Sequence, residues 1–185
     1  MTDAEWSGLQ PHVPPPKSGG RPRVHPVREI RNAICSLLRS GCAWRLLPHD
    51  LPPWKTVYHW FRLWRLQGLW EQIHTTLREV IRARAGREPQ PSAAILDSQS
   101  VKTTGVGGIR GYDGAKKLSG RQRPRLVDTP GLVLRATGHR AAIPDRAAVP
   151  QVLDGAAAEF PRLQHVWVDQ GYTGSGKPWI EANLG

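Results

Sequence analysis

The chain is poor in cysteine. Its 185 residues hold two, Cys35 and Cys42. That is too few for a disulfide scaffold or an all-cysteine zinc site, and buried, inert thiols are expected instead. No apolar run approaches the ~20 residues that a membrane span needs, so no membrane partner is expected. The charged-then-apolar start of a secretory signal is missing, which points to the cytoplasm. Acidic residues are scarce: 15 Asp and Glu stand against 26 Lys and Arg, for a formal charge of +11. Such an excess implies a polyanionic partner, most simply DNA or RNA. No aromatic stacking motif of the RNA-recognition kind is present, which disfavours RNA. There are no internal repeats. Tryptophan, by contrast, is plentiful. Six of the eight lie before residue 71, and the chain is too apolar for a disordered tail.

Residues 11–26, PHVPPPKSGGRPRVHP, hold too much proline and glycine for a helix. They read as an extended basic arm, taken here as residues 1–26. Arg21 and Arg23 flank a proline, and arginines in such an arm suit a narrow minor groove. A plain proline-rich tail is the alternative. From Val27 the pattern is helical. Ile30, Ile34, Leu37 and Leu38 recur at three-to-four spacing until Gly41. A second helix begins near Pro53, with Trp54, Val57, Tyr58, Phe61 and Trp64 as its apolar stripe. Lys55, His59, Arg62 and Arg65 form the opposite face. A third helix runs from Leu69 to about Arg84, with Ile73, Leu77, Val80 and Ile81 on one side. Residues 27–85 therefore read as a helical domain of helix-turn-helix character, whose basic second helix suits a major groove. A solvated helix face explains the same stripe. The tryptophans that share the apolar stripe belong to a core. The run RARAGREPQP then changes the composition, and residues 86–91 read as a linker.

The second half reads differently. SAAILDSQSVK is a short strand with Asp97 in it. A glycine-rich basic loop follows, TTGVGGIRGYDGAKKLSGRQR. Lys102, Lys116, Lys117, Arg121 and Arg123 in that region suit a phosphate backbone, or simply solvent. RLVDT and LVLRAT flank a Pro130-Gly131 turn. Asp145 caps a helix expected to reach about Phe160. LQHVWVD is a strand ending at Asp169, and a last helix starts near Pro178. This order gives an α/β layer with a mixed sheet. A carboxylate on a buried strand is costly unless it is paired, hydrogen-bonded or bound to metal. Set side by side, the two strands bring Asp97 and Asp169 to one edge. Their oxygens suit Mg²⁺ or Mn²⁺, and two such ions about 4 Å apart drive phosphoryl transfer. Asp169, just before Gly171, also reads as a cap on a turn. His139 and His165 have no partner at metal-ligand spacing.

Several segments together resemble those of bacterial insertion-sequence transposases of the DDE type, close to the insertion-sequence-five group. They are PPPKSGGRPR, GCAWRLLPHDLPPWKTVYHWFRLW, ILDSQSVKTT, GYDGAKK with GRQR, LVDTPGL and VWVDQGYTG, within about residues 6–174. The resemblance implies a helical DNA-binding domain followed by a ribonuclease-H-like catalytic domain. It implies three carboxylates, Asp, Asp and Glu, around two divalent ions, and the first two match Asp97 and Asp169. It implies cleavage of duplex DNA at the element's terminal inverted repeats, and strand transfer, at the nucleoid. The family's Glu lies on a later helix, past another strand, and has no counterpart here. Glu181 follows Asp169 by only 12 residues. Pro124 stands where relatives often carry His. The chain is therefore expected to be a C-terminally truncated transposase. Its ribonuclease-H-like part, residues 92–185, would be incomplete and would cleave little or no DNA alone. An exposed sheet edge and an uncovered apolar face are expected there. The alternative is a non-catalytic DNA-binding protein. It would be a repressor, or a dominant negative that pairs with itself or with an intact transposase copy.

Overall fold

A computed structural model describes residues 1–14, 24–103, 110–114 and 117–184. It divides into two compact units, residues 1–77 and 78–185, and the division falls inside a helix rather than at residues 86–91.

The first unit is helical. The stretch expected as an arm begins with a short helix, α1 (Asp3–Leu9). A capping box starts it: the Glu5 N–H donates to Thr2 Oγ1 at 3.2 Å, and the Thr2 N–H donates to Glu5 Oε2 at 2.7 Å. This local chemistry lies ahead of the proline run, so the prolines do not prevent it. Next come α2 (Val27–Ser40), α3 (Trp54–Leu66) and α4 (Leu69–Arg84). The buried face of α2 is Ile30, Ala33, Ile34 and Leu37. Leu38 is exposed, and so is Cys35, where a buried thiol was expected. Each is one step past a buried residue, and one step turns about 100° off the face. Val57 and Trp64 anchor α3 in the same core, with Leu69 and Ile73 of α4. Trp64 packs against Trp60 at 5.5 Å and Trp70 at 5.6 Å between ring centroids. The tryptophans are core here, as their stripe indicated. Tyr58 is the exception on that stripe, more than two-fifths exposed with its ring edge on Trp44.

Past residue 77 the apolar stripe of α4 does not continue. Val80 and Ile81 are exposed, while Arg78 and Arg82 are buried. Arg82 turns inward because it meets Asp128, a fully buried carboxylate, at 2.5 Å. A buried charge needs a partner more than a methyl group needs shelter.

The second unit is built on a six-stranded mixed sheet: β1 (Ala93–Lys102), β2 (Gly111–Asp113), β3 (Leu118–Asp128), β4 (Val133–Ala136), β5 (His139–Arg140) and β6 (His165–Val168). The path runs β2-β3-β1-β6, with β4 and β5 both pairing with β3. β1 is antiparallel to β3 and parallel to β6. Helices α5 (Asp145–Leu153), α6 (Ala156–Glu159) and α7 (Gly176–Leu184) complete the unit. Two expectations change. Arg121 and Arg123 lie on strand β3, not in a loop. Arginine there alternates with buried Gly120, Gln122 and Pro124, the period of a half-buried strand. The helix expected to reach Phe160 stops at Leu153. Pro150 removes a donor inside it, and Gly155 then takes φ +71°, a left-handed turn suited to glycine. The core lies under one face of the sheet: Ala94, Leu96, Leu126 and Leu134 meet Val149, Val152, Leu153 and Phe160. The other face leaves Ile95 38% and Trp167 54% exposed. Among the described residues no helix is long and apolar enough to cross a membrane.

Candidate active site

The parallel register of β1 and β6 ends at Leu96 opposite Val168. Asp97, on β1, and Asp169, just past the end of β6, come next, so both stand at the same end of the sheet. Asp97 is on the open face, where its side chain is 58% exposed and Arg125 Nη2 lies 3.5 Å away. A pair this exposed contributes at most ~1 kcal/mol, so Asp97 is lightly held. Asp169 leads into the 3-10 turn Gln170–Tyr172, and its Oδ1 accepts the Gly171 N–H at 2.8 Å. The turn-cap role is therefore real. It uses one oxygen, and Oδ2 accepts no bond among the described residues.

A third carboxylate shares this end of the sheet. Asp145 is the first residue of α5, where Pro144 occupies the cap position. Its Oδ1 accepts from Ser98 Oγ at 2.7 Å and from Gln122 Nε2 at 2.5 Å. A Cβ on Gly171 would stand 3.1 Å from Asp145 Oδ2 and 3.1 Å from Asp169 Oδ1, so glycine there leaves room between the two carboxylates. Tyr172, fully buried, lies beneath them. Burial pushes its phenol well above the usual tyrosine value. The nearby Ser98 hydroxyl pulls the other way, and Asp145, Asp169 and Asp97 add to the rise. The phenol oxygen makes no well-formed hydrogen bond.

These donors suit a divalent ion. Mg²⁺ keeps several waters and binds through one or two carboxylates plus substrate phosphates. Among the described residues no three His, Cys, Asp or Glu side chains are close enough together to enclose an ion. Asp97 and Asp169 would hold it.

The basic residues fall into separate groups. Lys55, His59, Arg62 and Arg65 are all exposed on α3 in the first unit. Lys102 ends β1 and Lys117 precedes β3, both exposed. Arg121 and Arg123 share the open face of β3 with Arg125, which pairs with Asp97. Arg21, Arg23 and Lys116 lie outside the described residues. The sequence reading missed the placement of Asp145, and with it Ser98 and Gln122. The alternation in GRQRPRLVD was available as a strand signal. Nothing local marks Asp145 as more than a helix-start residue.

Residues 88–182 match the model of the transposase DDE domain, and residues 1–74 match that of IS4/5-family transposases. The chain belongs to the DDE transposase family. A curated relative of this transposase is the insertion element IS402 uncharacterized 16.2 kDa protein of Burkholderia cepacia. The two are 32% identical over 113 residues, 58% of this chain and 76% of the relative. No solved structure matches the transposase. Domains of this family use divalent metal ions and act on DNA, in keeping with two strand-end carboxylates on a basic chain.

Proposed function

We propose that this transposase binds the terminal inverted repeats of its element as duplex DNA, and that Asp97 and Asp169 are the carboxylates at which strands are cut and joined. The parallel register that brings both to one sheet end carries this reading. The helical unit acts as a helix-turn-helix-like DNA binder, and the sheet unit as a ribonuclease-H-like domain, at the nucleoid. Mg²⁺ is the natural ion and Mn²⁺ its substitute. A bound ion supplies the charge that activates a water or a 3′-hydroxyl and stabilises the leaving oxygen. The chain's own part is to fix the acceptors. The Gly171 N–H holds one oxygen of Asp169, and Arg125 lies beside Asp97. Arg21, Arg23, Lys55, His59, Arg62 and Arg65 contact DNA from the first unit. Lys102, Lys116, Lys117, Arg121 and Arg123 contact it from the second. Lysine neutralises phosphate, while arginine also reads guanine.

One observation favours a second reading, a DNA-binding repressor or dominant negative without cleavage: no third ligand closes on the carboxylate pair among the described residues. Both are tested by binding the chain to labelled duplexes across a salt series, with and without Mg²⁺, and scoring nicks. Nicks that need Mg²⁺ and vanish in Asp97→Asn, with binding kept, support the transposition reading. Site-preferring binding without nicks supports the second. No site preference and no nicks overturn both.

A further inference from the structure

The open face of the second unit carries a basic groove set apart from the carboxylates. Its volume is about 940 Å³, and its lining includes Arg121, Arg123 and Arg140, the hydroxyls of Thr103 and Thr137, and His139. No carboxylate lines it among the described residues. Three polar atoms of this lining, Thr103 Oγ1, Thr137 Oγ1 and His139 Nε2, are buried without a hydrogen-bond partner. Such atoms are costly unless something completes them.

A row of arginines links the groove to the carboxylate end of the sheet. Across the β1–β3 ladder Arg121 stands opposite Val101, Arg123 opposite Gln99 and Arg125 opposite Asp97. Opposed residues share a face, so the three guanidiniums form one row that starts in the groove and ends at Asp97. Alternate residues on a strand are about 7 Å apart, a step close to that between successive phosphates on a nucleic-acid strand. Arg140, opposite Arg121 on β5, widens the row at the groove end.

We propose that this groove and its arginine row seat the phosphodiester backbone of the DNA strand that enters the Asp97–Asp169 site. The guanidiniums supply charge. Thr103 and Thr137 line the seat beside them. The inference rests on the DNA-binding reading above and extends it to Arg140, Thr103, Thr137 and His139, which that reading does not use.

The test is the salt dependence of DNA binding by the full chain. Fluorescein-labelled 20-nucleotide single strands and 20-base-pair duplexes are titrated by anisotropy at several salt concentrations. Wild type is compared with Arg140→Gln, Arg121→Gln, Thr137→Val and Arg162→Gln, the last an exposed arginine outside the groove. Each lost phosphate contact lowers the slope of log K against log salt by about 0.9 on duplex and about 0.7 on single strand. Arg140→Gln and Arg121→Gln are expected to lower it by that amount, and Arg140→Lys to restore binding. Thr137→Val is expected to weaken binding with no change of charge, and Arg162→Gln to leave the slope unchanged. An effect on single strands alone identifies the ligand as an unpaired strand. An effect on both identifies backbone of either form. Thermal melts show whether each variant is folded. DNA binding that persists with wild-type slope and affinity in folded Arg140→Gln and Thr137→Val overturns the groove and leaves the DNA-binding reading standing. No binding by wild type at low salt overturns that reading, and the groove with it.

Discussion

The first unit buries an arginine against aromatic rings alone, while the second also buries one against a carboxylate. In the first, Arg31 lies in the helical core at 3% exposure, with its guanidinium 5.5 Å from the Trp64 ring and 6.0 Å from Trp70. Its Nε and Nη2 have no partner, and burial holds its pKa below the usual arginine value. In the second, Arg82 meets the carboxylate of Asp128 and gives its Nε to the Glu88 carbonyl at 2.9 Å. Asp128 also accepts the Leu132 N–H at 2.7 Å, so it closes the β3–β4 turn as well. Arg78, one turn before Arg82 on the same helix, is closer to Arg31: it lies 5.1 Å from the Phe160 ring, with Nε and Nη1 unpartnered. The lesson is that aromatic faces and carboxylates both admit a guanidinium to a core. Only the carboxylate makes its removal expensive, because it leaves a buried charge behind.

The largest effect is therefore expected at Arg82. Arg82→Met strands Asp128 and is expected to destabilise the second unit by about 3–5 kcal/mol, read by urea denaturation. A loss no larger than that of Arg31→Met would break the comparison. Asp145→Asn keeps the side-chain shape at the start of α5 and removes one charge from the same end of the sheet. It is expected to weaken Mn²⁺ binding about tenfold, measured by electron paramagnetic resonance titration; unchanged affinity would remove Asp145 from the site. Arg31→Met is expected to stay within about 1 kcal/mol of wild type, or to stabilise, since it leaves no charge uncompensated. A Tm drop of the size seen for Arg82→Met would reveal a partner for Arg31. The smallest effect belongs to Tyr172. Its neutral form is favoured by the fold, so that stability is complete below the unfolded value of about 10 and is lost as pH rises through the higher folded value. Tyr172→Phe is expected to flatten the fall of Tm that begins at about pH 10, and an identical fall in both proteins would count against it.

The helices and strands were legible because their causes are local. Spacing of Ile30, Ile34 and Leu37, the short apolar run that opens β1 and the Pro130-Gly131 turn all act within a few residues. Asp97 and Asp169 could be named because an aspartate on an apolar strand is conspicuous. What escaped depends on long-range partners. Arg82 lies 46 residues from Asp128, and Ser98 lies 47 from Asp145. An amphipathic stripe extrapolated along α4 cannot register that a carboxylate waits across the fold. Asp145 had a sufficient local explanation as a helix-start residue, which hid its second role.

The Arg82–Asp128 pair also decides where the chain can be cut. The composition suggests a break at residues 86–91, and a fragment beginning there would keep every strand of the sheet. It would also part Asp128 from its guanidinium. Such a piece carries an unanswered, buried anion at the base of its β3–β4 turn, which is costly. A fragment that starts at residue 78 brings the missing cation with it. The boundary of the sheet unit, as a thing that can stand by itself, is set by one arginine a turn inside the preceding helix.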